Sequence, residues 1–76
     1  MPSSIRIARS QLSDHAWLST IYEPADDGVS GYYETMVFIR GSERFAQRDT
    51  SRPAALLTHA WTIVRYNTGA FDDYET

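Results

Sequence analysis

The sequence predicts an α+β domain, in which an antiparallel sheet of three or four strands carries one C-terminal helix on one face. Three observations carry that prediction. Apolar residues recur at helical three-and-four spacing between Arg52 and Tyr66. An aromatic and β-branched run, Tyr32–Arg40, sits between Gly31 and Gly41 with no breaker inside it. The segments before the helix are strand-length and separated by short turn signals, Asp27-Gly28 among them.

Taken in order, Ile5 and Ile7 alternate with Arg6 and Ala8, which suggests a first strand. The next strand covers Ala16–Tyr22 and stops where Glu23-Pro24 begins a turn. The loop Pro24-Ala25-Asp26-Asp27-Gly28 leads to the Tyr32–Arg40 strand, and a tight Gly41-Ser42-Glu43 connection leads to a shorter one at Arg44–Arg48. Ser51 or Thr50 can cap the helix, and Pro53 suits its first turn, where no intrahelical N–H is needed. Leu56, Leu57, Ala60, Trp61, Ile63 and Val64 make the apolar face expected to meet the sheet, with Thr58, Thr62 and Arg65 opposite. Asn67-Thr68-Gly69 ends the helix, with Asn67 or Gly69 left-handed. The domain is thus expected over 1–69, with 70–76 an acidic, frayed tail.

Seventy-six residues build one domain with a thin core, and small scaffolds of this size lean on disulfides, a metal or association. The absence of cysteine removes disulfides and thiolate zinc sites and fits a reducing compartment. The N-terminal stretch lacks the apolar run of a secretory signal, and nowhere do about 18 apolar residues run together, so a cytoplasmic location is expected. Net charge is −3, which gives no global attraction to nucleic acid or to an anionic membrane. All seven basic residues are arginine, a bias that GC-rich coding produces.

The Tyr32–Arg40 strand is unusual because both of its faces are apolar. Tyr33, Thr35, Val37 and Ile39 make one face, and Tyr32, Glu34, Met36 and Phe38 the other. One helix covers only one of them. The second is covered either by the N-terminal segment or tail, through Phe71 and Tyr74, or by a partner, which includes a second copy of the chain. For the partner reading, Tyr32, Met36 and Phe38 are the anchors and Arg44, Arg48, Asp26 and Asp27 the charged rim.

Other constellations are weaker. Ser13-Asp14-His15 cannot form a triad, because adjacent residues on an extended segment point in different directions. His59, at the edge of the helix's apolar face, reads as a packing or capping side chain. No GxGxxG, GxxxxGK[ST] or HExxH pattern gives a cofactor or metal a foothold, so no enzyme activity is expected. Asp26 and Asp27 lack the ligand series of a calcium loop. The acidic loop and the tail Asp72-Asp73-Tyr74-Glu75 could mimic nucleic-acid phosphate on a host protein's basic surface, although such segments usually only solvate. Arg40, Arg44, Arg48 and Arg52, with Phe45 as a stacking ring, make the alternative candidate, a nucleic-acid-binding strand.

The stretches Leu18–Tyr22, Tyr33–Phe38 and Ala54–Leu56 with His59 and Val64 resemble a pattern of very small phage and prophage proteins of actinobacteria. In that pattern an STV-type strand precedes an ETMVF strand and a short AxxGHxxMV helix, and Glu34–Phe38 is the most specific part of the match. Thr58 replaces the glycine before the histidine, and Trp61-Thr62-Ile63 stands where Met-Val is common. The resemblance implies a phage accessory protein. Such proteins bind a host protein or complex and inhibit it, as in host takeover or anti-CRISPR-like anti-defence, within the host cytoplasm.

Overall fold

A computed structural model describes residues 3–75; Met1 and Pro2 of the expected domain and Thr76 of the expected tail lie outside the described residues. Four strands form one antiparallel meander in the order β1-β2-β3-β4, with β1 at Ile5–Ser13, β2 at Ala16–Glu23, β3 at Tyr32–Ile39 and β4 at Ser42–Asp49. The helix α1, Arg52–Asn67, crosses one face, and a short 3-10 turn follows at Asp72–Tyr74. This is the α+β class that the periodicity predicts, with the fourth strand present.

Two strands run longer than their sequence signals. β1 continues through the polar stretch Arg9–Ser13, where pairing with β2 and not hydrophobic alternation defines the strand. Register shifts at Ile7 and Leu12 interrupt its alternation, so the Ile5/Ile7 pattern marks the start of the strand but not its continuation. β4 begins at Ser42 because the β3–β4 turn is Arg40-Gly41, both residues at positive φ (53° and 83°). Two left-handed central residues are the geometry that matches the twist of a two-residue hairpin. Arg40 is therefore a turn residue, not the end of a strand.

The core lies between helix and sheet. Ala16 and Leu18 of β2, Val37 and Ile39 of β3, and Ala55 of α1 are buried there. Each large aliphatic side chain so buried contributes about 1.5–3 kcal/mol. Beside them the sheet buries a polar row, Thr20 and Thr35. The helix answers it. His59, only 7% exposed, places Nδ1 2.8 Å from Thr20 Oγ1 and Nε2 2.9 Å from Ser10 Oγ, and Thr20 Oγ1 lies 2.8 Å from Thr35 Oγ1. Thr62, also buried, donates to the Thr58 carbonyl at 2.6 Å.

That network inverts the expected helix. Of the six residues assigned to the buried face, Ile63 alone packs against the core, while Leu56, Leu57, Ala60, Trp61 and Val64 face solvent. Thr58 and Thr62, expected outside, lie on the inner face with Ala55 and His59. The physical reason is the hydroxyl row beneath: buried Thr20 and Thr35 need hydrogen-bond partners, and an all-aliphatic helix face would leave them unsatisfied. Small residues at Ala55, Thr58 and Thr62 also let the helix lie close.

The helix starts as predicted at Ser51, whose Oγ accepts from the Ala54 N–H at 3.2 Å. Ser51→Ala is expected to cost about 1 kcal/mol of unfolding free energy in urea titrations, the usual worth of such a cap. At the other end Gly69 takes φ +97°, and Thr68 Oγ1 donates to the Val64 carbonyl at 2.9 Å.

The tail after Gly69 is not frayed. Phe71 is 4% exposed within the core cluster, edge-on to Phe45 at 5.9 Å and stacked on Tyr66 at 6.1 Å. The Glu75 carboxylate accepts from Tyr66 Oη and pairs with His15 Nε2, and the Glu75 carbonyl accepts from Arg40 Nη2 at 3.3 Å. The tail thus clips the two turns at one end of the sheet, the one holding His15 and the one holding Arg40. Its single aromatic anchor, in an otherwise acidic segment, left no period for sequence reading to detect.

Candidate interaction surface

Strand alternation sends Trp17, Ser19 and Ile21 of β2 and Tyr32, Glu34, Met36 and Phe38 of β3 to the face opposite the helix. All seven are half-buried, by one another and not by any overlying element among the described residues. Trp17 and Phe38 are cross-strand partners and stack at 5.3 Å with planes 18° apart. The Arg9 guanidinium of β1 lies 5.6 Å from the Trp17 ring centre. Arg48 of β4 lies 4.4 Å from the Tyr32 ring, and its Nε donates to Glu34 Oε2 at 3.3 Å. Met36 and Ala46 sit side by side between these clusters, in register with Ser19.

The result is a largely apolar strip on the sheet. Met36 lies at its middle, between the Trp17–Phe38 stack towards one end and Tyr32 at the other, and an arginine stands against each of Trp17 and Tyr32. Among the described residues neither segment that might have covered it is placed over it: residues 5–13 become the edge strand β1, and Phe71 goes to the helix side. Tyr32, Met36 and Phe38 therefore share this uncovered face, as the β3 pattern predicts. Trp17 was missed. Its signal was available in the β2 alternation, where Trp17, Ser19 and Ile21 oppose Ala16, Leu18 and Thr20.

The remaining expected rim residues are not brought together. Arg44 falls in the irregularity opposite Val37 and Phe38 and lies 5.1 Å from the Tyr74 ring, so it serves the tail, whereas Arg48 serves Tyr32. Asp27 organises its own loop: its carboxylate accepts from the Val29 and Ser30 N–H groups at 2.8 Å and from the Ser30 hydroxyl. Those bonds, the Ser30 hydroxyl foremost, hold its carboxyl down to about 2. Asp26 is exposed beside it with no role in the strip.

Three of the four arginines named for the nucleic-acid alternative are engaged within the chain. Arg40 bonds the tail, Arg44 lies over the Tyr74 ring, Arg48 lies over the Tyr32 ring, and Arg52 is exposed at the start of the helix. Phe45, the proposed stacking ring, packs against Phe71 with Arg65 5.5 Å from its centre.

His59 is the other chemically notable group. Burial lowers its imidazole pKa, so the folded protein holds it neutral at physiological pH. A neutral imidazole donates from one ring nitrogen and accepts at the other, which suits a position between two hydroxyls. Thr20 and Thr35 are wholly buried, and the histidine is enclosed between sheet and helix. Its observed role is therefore to satisfy the hydroxyls of the core. No known protein family, curated protein or solved structure matches the chain.

Proposed function

We propose that the chain is a binding module that engages a partner protein through the uncovered sheet face, with Trp17, Met36 and Phe38 as anchors. Arg9, Tyr32 and Arg48 form the flank. The observation that supports this reading is the stacked Trp17–Phe38 pair, continuous with Met36 and left open by every other element described. Aromatic residues, methionine and arginine are the types enriched at protein interfaces, and a strand-borne surface loses little freedom on binding.

A protein partner fits better than a single-stranded nucleic acid. Trp17 already has Phe38 and Arg9 against it, and Tyr32 has Arg48, so base stacking would first have to displace these contacts. The net charge of −3 adds no phosphate attraction. The resemblance of Glu34–Phe38 to small actinobacterial phage proteins is the ground for placing the partner in a host cell, where binding would inhibit a host enzyme or defence complex.

The test is affinity capture from an actinobacterial host lysate, with and without nuclease, using the wild type and Met36→Lys. The substitution sits on the solvent side of β3, and far-UV circular dichroism and the melting temperature check that the fold is retained. A specific protein partner is expected to survive nuclease and to lose about 2 kcal/mol of affinity, roughly 30-fold, with Met36→Lys. Capture that ignores the substitution sinks the surface. Capture that vanishes with nuclease moves the function to nucleic acid.

A further inference from the structure

The inversion of α1 leaves a second apolar surface, remote from the open sheet face and on the other side of the molecule. Leu57 is 72% exposed, Trp61 60%, Val64 46% and Leu56 41%, and Ala60 is exposed among them. After Arg52 and Pro53 the outward positions carry no charged side chain, in a chain whose net charge is −3. Arg52 stands at the helix start, and Arg65 turns back over Phe45 and Phe71. Solvent-facing helix surfaces are ordinarily charged on this side, so an uncharged stripe with an exposed tryptophan marks a contact.

We infer that this stripe is a homodimer interface in which two copies of α1 pack antiparallel about a two-fold axis between Ala60 and Trp61. The spacing itself is self-complementary. Reversing the helix about that point places Leu57 opposite Val64 of the second copy and Ala60 opposite Trp61, a small residue against the largest. A depression of about 340 Å³ lined by Leu57, Thr58 and Trp61 supplies the hole for an apolar side chain of the second copy.

Charge and area favour a second copy as occupant. Two like-charged chains meet here at an uncharged face, so close approach brings no ionic repulsion across it. The four large side chains offer on the order of 400 Å² per chain, and with their neighbours a pair hides close to about 1,000 Å², the lower bound for a specific interface. The core beneath the helix, made in part of Thr20, Thr35, Thr62 and His59, is also of the kind that gains from association. In the dimer the two sheets face outward, each with its open face free.

Sedimentation equilibrium or light scattering up to about 100 μM covers the micromolar dissociation constant expected of so small an interface. The wild type is expected to approach twice its 8.7 kDa mass. Leu57→Glu alone and Val64→Lys alone are each expected to be monomeric with unchanged circular dichroism. Glutamate and lysine are both good helix formers at exposed positions, so the helix is kept. The two substitutions in one chain are expected to restore the dimer, because the antiparallel register brings carboxylate and ammonium together twice. Within one helix the two positions are about 10 Å apart, so the rescue is intermolecular. A monomeric wild type, or single variants that still dimerise, overturns the interface, and a double variant that stays monomeric overturns its register. Met36→Lys is expected to leave the dimer intact, so this inference and the open-face reading fail separately.

Discussion

Phe71→Ala is expected to lower the unfolding free energy by about 3–4 kcal/mol, near the bottom of the range for deleting a buried phenylalanine. The ring fills the end of the core beside Ala16, Leu18, Val37 and Ile39, and it holds Phe45, Tyr66 and Arg65 around it. Its loss also releases the segment that carries Glu75 to Tyr66, His15 and Arg40. The exposed end of the chain can collapse partly into the space, which keeps the cost below that of a mid-core site. A domain of this length has roughly 4–11 kcal/mol of stability in total, so a large fraction disappears. The melting temperature is expected to fall by about 12–32 °C, at about 4–8 °C per kcal/mol for a domain this small. Tyr74→Ala is the control. Its ring is exposed and touches Arg44, so the cost is expected to stay near about 0.5 kcal/mol. If both variants cost equally little, the tail is not part of the fold.

The tail shows why some of this molecule was legible in the sequence and some was not. Strands β2 and β3, the loop between them and the helix with its Ser51 cap all follow from local rules of periodicity, turn chemistry and capping. The two faces of β3 followed as well, because side chains alternate strictly where no bulge intervenes. Phe71 obeys no local rule. It is one aromatic residue in an acidic context, and its burial is decided by the hole that Phe45 and Tyr66 leave.

The helix orientation was misread for a related reason. Hydrophobicity ranks Leu56, Leu57, Trp61 and Val64 for burial, and that rule treats the sheet beneath as uniformly apolar. It is not. Thr20 shares its strand face with Leu18, and Thr35 with Val37, so two hydroxyls point inward among the core aliphatics. Those hydroxyls were the available signal that the helix must offer a polar partner, and His59 has a ring nitrogen on each side with which to serve two at once. The same correction moves the apolar stripe outward and separates two surfaces, one on the sheet and one on the helix, where the sequence suggested one. Of the expected site residues, Tyr32, Met36, Phe38 and Arg48 gather on the sheet, while Arg44 and Asp27 are occupied elsewhere.

The energetic weight of that polar core gives the second large effect. His59→Leu is expected to cost about 2–4 kcal/mol, because it strips Thr20 and Ser10 of their imidazole partner while burying a side chain of similar size. Thr20→Val/Thr35→Val/His59→Leu together is expected to cost less than the sum of the parts, since replacing the three buried members leaves no orphaned hydroxyl between β2 and β3, and half-buried Ser10 is the one member retained. Strictly additive costs would show that the three side chains do not act as one network. The pH dependence follows from the lowered imidazole pKa. In the unfolded chain the histidine takes a proton near pH 6.5, whereas in the folded protein burial delays it. Below about pH 6.5 the unfolded state therefore binds more protons, and stability falls with pH until the folded protein's own, lower value is passed. Urea titrations between about pH 7.5 and 5.5 are expected to show that loss in the wild type and a shallower slope in His59→Gln, which lacks the titrating ring. An identical slope in the two proteins would place the proton-linked group elsewhere and free His59 from the core role its hydrogen bonds assign it.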